Sequence, residues 1–297
     1  MSAPVTITAD VPLRTAPVAA VARGRRRGRG GMVVLLILTA VSFVVLTPFI
    51  WTAMAATKPT AQAFANPPVF TYAPTFEAFT ALWQETNFAT YLLNTTLVAA
   101  ASVVVALIVG APAAYALSRY SGSIGALLLV LALVFRALPR FAVALPFYQF
   151  ARQLGIYDTK LALIVALVAL NQPFTIWLLR NFFREIPNEL DEAAMVDGCT
   201  RFQTLRRVIL PIMGPGLVTA GIFTFLFAFQ EYLIAVVLTD VEAKTIPVFI
   251  TTQIGQNLPL LQQASAATVL VSVPILLLAM VVQRYLVAGL TGGSVKG

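Results

Sequence analysis

Apolar residues run along this chain in long, nearly unbroken blocks, not in the alternation of a half-buried strand or the stripe of a surface helix. The blocks extend from about Met32 to Met54, Tyr91 to Leu117, Ile124 to Leu138, Leu161 to Leu179, Gly214 to Leu238 and Ala264 to Val282. All but the third have the roughly 18 or more residues that an α-helix needs to cross hydrocarbon. The third breaks early, against Arg136, Pro139 and Arg140. Backbone in lipid must satisfy its own hydrogen bonds, which favours helices. The expected fold is therefore all-α and integral to the membrane, with six transmembrane helices.

One polar interlude interrupts the pattern, at Glu189–Pro211. Asn188 can cap a helix there, and Glu189, Asp191 and Glu192 occupy its first turn, where the helix dipole favours carboxylates. Leu190, Ala193, Ala194 and Asp197 share one face, and the alanines leave room for a partner to come close. Gly198 is a natural left-handed stop. Thr200 can then cap a second helix with Phe202, Leu205 and Ile209 on one side and Arg201, Arg206 and Arg207 largely off it, ended by Pro211. The result is a helix–Gly–helix loop between spans four and five.

Smaller interruptions fall inside the apolar blocks. Asn171-Gln172-Pro173 predicts an unwound polar break in span four, which either satisfies neighbouring helices or lines a pathway. Gln230-Glu231-Tyr232 falls within span five, and a carboxylate there is a functional candidate or a hub between helices. Residues 146–159 read as a loop. Residues 55–90, rich in proline and aromatics, suit short interfacial helices or a docking surface for an external protein.

Composition narrows the function. Of 297 residues 59% are hydrophobic and 11% charged, against about 25% charged in soluble domains. The net charge of +8 has its explanation in topology: fourteen of the twenty Lys and Arg fall on one side if both termini lie inside. Arg23, Arg25, Arg26, Arg27 and Arg29 then anchor the first span, and no nucleic-acid partner is expected. Residues 1–31 read as a disordered basic cytoplasmic tail, and 32–297 as the membrane domain. The chain has one cysteine (Cys199), no histidine and no Gly-Lys pair. Imidazole chemistry, an intrachain disulfide, a thiolate metal cluster and a P-loop are thereby excluded, and no cofactor or metal is expected on this chain.

Glu192-Ala193-Ala194, Gly198 and Leu210-Pro211 stand at the spacing of the EAA loop of bacterial ATP-binding-cassette importer permeases, with Val208 where isoleucine is usual. Thr57-Lys58-Pro59, residues 91–95 (YLLNT), residues 113–119 (AAYALSR) and the C-terminal residues 283–297 extend the resemblance to the carbohydrate-type permeases of the maltose-transporter class, second of the pair. The resemblance implies a permease subunit of an ATP-driven sugar importer in the bacterial inner membrane, both termini cytoplasmic. It implies a homologous second permease, two cytoplasmic ATPase subunits holding ATP and Mg, and an extracytoplasmic solute-binding protein. Glu192, Ala193, Ala194, Asp197, Gly198, Arg201, Phe202, Leu210 and Pro211 would couple to the ATPase. Gln230, Glu231, Tyr232, Asn171 and Gln172 would line the substrate pathway. Phe229-Gln230-Glu231 departs from the usual Trp-Asn-Glu. A polyol or glycerophosphodiester cargo, or an ion-coupled carrier using Glu231, are the alternative readings.

Overall fold

The computed structural model describes residues 29–63, 65–120, 122–253 and 258–292. The predicted tail lies almost wholly outside them, as do the last five residues. These residues divide into two compact units, one ending at Thr47 and the other beginning at Pro48. The helices are α1 (Arg29–Thr57), α2 (Thr60–Ala63), α3 (Glu77–Glu85), α4 (Phe88–Arg119), α5 (Ser123–Arg136), α6 (Arg140–Gln153) and α7 (Lys160–Glu185). They continue as α8 (Glu189–Val196), α9 (Arg201–Thr204), a π-helical turn (Leu205–Ile209), α10 (Leu210–Ile212), α11 (Gly214–Phe229), α12 (Leu233–Leu238), α13 (Ile246–Gln253) and α14 (Leu258–Gly292).

Four helices are long and apolar enough to cross a membrane alone, and two bent pairs raise the number to six when each counts as one span. One bent pair corrects the sequence reading of span three. α5 stops after 14 residues, about 21 Å at the usual rise, and α6 departs from it at 91°. Residues 146–153, expected as loop, belong to α6 with Pro146 inside it. α7 corrects the reading of span four: it runs unbroken through Asn171-Gln172-Pro173. Neighbouring helices absorb the polar groups there, because Gln172 Nε2 donates to the Ala106 carbonyl of α4 at 3.1 Å. Span five, expected as continuous, breaks at Gln230–Tyr232 between α11 and α12. The loop before span six contains α13, and α14 begins six residues earlier than the apolar block.

The centre of the second unit is α4 packed along α7, with α11 against both. Val98, Ala99, Leu163, Ala166 and Leu167 are buried there with Ala228 and Phe229. Small residues permit the close approach: a Cβ at Gly110 would lie 2.7 Å from Gln172 Nε2. Thr175 and Thr224 close a buried hydroxyl pair between α7 and α11 at 3.0 Å. Apolar side chains such as Val104, Ile108, Leu127, Leu128 and Val165 stay exposed, as lipid- or partner-facing surfaces do.

The end where α7 begins is tied together by polar anchors. Asp158, in the left-handed region at φ 56°, accepts backbone N–H from Asp240, Val241, Glu242 and Ala243 at 2.8–3.1 Å. Burial pushes the Asp158 carboxyl up, but the four donors outweigh it and hold the group below the ordinary carboxylate range. Asn94 Nδ2 donates to the carbonyls of Glu242 and Lys244, and Thr95 Oγ1 accepts from Ile246 N–H. Lys58, buried after α1, places its ammonium 5.3–5.9 Å from the rings of Trp51, Phe70 and Tyr72. The stretches 57–59 and 91–95 therefore act as anchors of this end.

Candidate functional site

Two clusters gather the chemistry. The first is the helix–Gly–helix element. Its glycine behaves as the sequence requires: Gly198 has φ 84°, its N–H bonds the Met195 carbonyl at 3.1 Å, and Cys199 N–H bonds the Ala194 carbonyl at 2.9 Å. These two bonds end α8 as a Schellman motif. A Cβ on Gly198 would meet nothing within 4 Å, so the requirement is torsional, not one of space. Thr200 caps α9 in a full capping box with Gln203. Asn188 makes no side-chain cap to α8, contrary to the expectation.

The faces of these helices differ from the sequence reading. On α8 the buried residues are Asp191 and Ala194, while Leu190, Ala193 and Asp197 point outward. Asp191 is drawn in by Arg119, whose Nη2 lies 2.7 Å from Oδ2, and by the hydroxyl of Tyr115, which donates to Oδ1. Arg119 also donates to the carbonyls of Phe183 and Ile186 at 3.0 and 3.1 Å. One guanidinium thus joins the last turn of α4, the end of α7 and the start of α8. Arg180 adds a second stitch, donating to the Leu117 carbonyl at 3.1 Å. Cations at these helix ends are favourable, because the unpaired C-terminal carbonyls carry partial negative charge.

In the second helix Leu205 and Ile209 are buried as expected, but Phe202 is 65% exposed. The π-helical turn at Leu205–Ile209 inserts the extra residue that shifts the register. Glu192, Ala193, Asp197, Gly198, Arg201, Phe202 and Pro211 are exposed, Leu210 is half-buried and Ala194 packs inward. Between α4 and this element lies a cleft of about 720 Å³ whose lining includes Tyr115, Tyr120, Asn188, Met195 and Phe202. Tyr115, Arg119 and Asp191 were missed as site residues. Their signal was available: Tyr115 and Arg119 are four apart, on one face of a helix.

The second cluster is the pair of helix breaks. Glu231 stands between α11 and α12; its Oε1 accepts from Ile234 N–H at 3.2 Å and its Oε2 lies 3.0 Å from Arg140 Nη1 at the start of α6. Arg136 ends α5, donates to Asn171 Oδ1 at 2.8 Å and lies over the rings of Phe227 and Phe174 at 4.6 and 5.1 Å. The structure therefore brings Glu231 and Asn171 into one neighbourhood through the two arginines. Gln230 is exposed beside them and Tyr232 is half-buried against the core. Gln172 turns instead to α4, bonding Ala106. Reading Arg136 and Arg140 only as interrupters of a span hid their role as the partners of these groups.

The profile of the binding-protein-dependent transport system inner membrane component family matches residues 102–292. A probable ABC transporter permease protein of Sinorhizobium fredii is 38% identical over 86% of this chain and 92% of its own. A trehalose transport system permease protein of Mycobacterium tuberculosis is 34% identical over 85% of this chain and 93% of its own. Among solved structures, a chain of a bacterial ABC transporter for import of the acidic polysaccharide alginate superposes with a TM-score of 0.73. It is 25% identical, covering 88% of this chain and 98% of that one.

Proposed function

The chain belongs to the binding-protein-dependent transport system inner membrane components, and from that premise we propose that it is one permease subunit of an ATP-driven saccharide importer. It is a transport subunit, not an enzyme, and it spans the membrane several times. A homologous second permease completes the pathway, two ATPase subunits on the cytoplasmic side hold ATP and Mg, and an extracytoplasmic binding protein delivers the solute. In this reading both termini are cytoplasmic, which the distribution of Lys and Arg supports.

The observation that carries the coupling assignment is the closed joint at Asp191. The exposed face of α8 and α9, with Glu192, Ala193, Asp197, Arg201 and Phe202, offers the ATPase a surface. Asp191, Tyr115 and Arg119 fix that surface to the ends of α4 and α7. Movement of the ATPase then reaches the membrane helices without a slack link. Gln230, Glu231 and Asn171, with the two arginines, form this subunit's share of the pathway; Tyr232 and Gln172 support it. The relatives' cargoes include a neutral disaccharide, trehalose, and an acidic polysaccharide, alginate.

The test is Gly198→Val in the complete reconstituted importer. A β-branched residue at φ 84° costs about 1–3 kcal/mol of local strain and misdirects α9. The expected outcome is an assembled complex whose ATP hydrolysis no longer drives uptake. Wild-type uptake in that variant would refute the coupling assignment. Uptake by the wild-type complex that needs an ion gradient and not ATP would refute the importer reading.

A further inference from the structure

The breaks between α5 and α6 and between α11 and α12 carry unequal charge. Among the described residues Arg136 and Arg140 share one carboxylate, Glu231, and Arg136 lies in electrostatic range of both others. One positive charge is left over at membrane depth. A charge there is costly unless it is wet or paired, so the excess calls for an anion that this chain does not supply.

Hydrogen bonding points the same way. Asn171 is 1% exposed; its Oδ1 is taken by Arg136, while its Nδ2 has no partner. Arg140 Nη1 meets Glu231 as a charge, without an aligned hydrogen bond. The cluster therefore has more donors than acceptors as well as more positive than negative charge. The Arg136 guanidinium lies 4.6 and 5.1 Å from the rings of Phe227 and Phe174, which stand edge to face beside it. Its planar fork suits a carboxylate or sulfonate, which it can meet with two parallel N–H donors.

Resting on the saccharide-importer reading, we propose that this break recognises the acidic group of an anionic saccharide, a hexuronic acid or a sulfonated sugar, through Arg136 and Arg140. The acid enters where the surplus guanidinium lacks a counter-charge, and Asn171 positions Arg136 to receive it. A carboxylate of the second permease is the competing source of the anion.

The experiment uses the full importer in liposomes, with its ATPases and binding protein. ATP-driven uptake is measured for a panel of hexuronic-acid and sulfonated saccharides and their neutral counterparts. The wild-type complex should take up acidic members roughly tenfold or more faster than neutral ones. Arg136→Gln should bring that ratio close to one, and Arg136→Lys should restore part of it. If Arg136→Gln lowers the yield of complex, Arg140→Gln reads the same ratio. Preference for neutral saccharides in the wild type, or an unchanged ratio in both glutamine variants at full yield, would overturn the inference and assign the anion to the second permease, with the importer reading intact. ATP-driven uptake of no panel member by an intact complex would overturn the importer reading with it.

Discussion

The helix–Gly–helix element and the helix breaks both set a carboxylate against an arginine, yet the two joints are built differently. At Asp191 one carboxylate meets Arg119 Nη2 and the Tyr115 hydroxyl, and Arg119 Nη1 is shared by two helix-end carbonyls, while its Nε has no partner. One carboxylate balances one guanidinium there, and the pair ties together the ends of α4 and α7 and the start of α8, so the joint is closed in charge. At Glu231 one carboxylate faces Arg140 and accepts from Ile234 N–H of α12, while Arg136 adds a second positive charge and Asn171 Nδ2 has no partner. That joint lies between helix segments already broken, and it is open to a further partner. A lever needs the first arrangement and a passage the second.

The largest effect is expected where the closed joint is cut. Asp191→Ala would strand the Arg119 guanidinium in a buried site, at a cost of about 3 kcal/mol. Complex yield should fall, and the complex that remains should hydrolyse ATP without uptake. Asp191→Asn, which keeps one acceptor oxygen and replaces the other with an NH2 donor, should be milder. Equal, wild-type behaviour of both would show that the joint transmits nothing.

Glu231→Gln cuts the open joint. An amide oxygen can still accept from Ile234 N–H, so yield should hold. The two arginines lose their only neutralising group among the described residues, and uptake should slow by roughly tenfold. Loss of assembly, with normal uptake per surviving complex, would make Glu231 a structural hub and erase the contrast with Asp191.

The smallest effect belongs to Asp158, a carboxylate served only by backbone donors and remote from both joints. Asp158→Asn should lower stability at neutral pH by about 1 kcal/mol, allowing for solvent screening, and leave coupling unchanged. The folded-state carboxyl titrates below its unfolded value. Its stabilisation is therefore fully present above about pH 4 and is lost as pH falls through the lower, folded value. Thermal unfolding of the purified complex should show the wild-type advantage at pH 7 shrinking in acid. An advantage independent of pH would assign it to packing instead of charge.

How much of this was legible before the fold was known varies by element. Gly198 and Thr200 were, because a left-handed stop and a cap are set by a residue's own torsions and its neighbours' backbone. The inward turn of Asp191 and Ala194 was not. Periodicity gives a helix two faces, but which one is buried was decided by Arg119, 72 residues away. The exposure of Phe202 was hidden for another reason: one π-helical turn shifts a register that a 3.6-residue period cannot see.

The sequence by itself determined the class of the molecule, because apolar length answers directly to the thickness of a bilayer and needs no knowledge of tertiary contacts. It also determined the helix–Gly–helix element and the absence of imidazole chemistry. Only the tertiary structure decided that α7 runs straight through Asn171-Gln172-Pro173 while α11 breaks at Glu231. A polar triplet in an apolar block has two outcomes, and the choice falls to the partners that neighbouring helices offer. Gln172 found a carbonyl on α4 and Asn171 an arginine on α5, so α7 stayed whole; Glu231 found Arg140 and the free N–H of a new helix, so its helix began again.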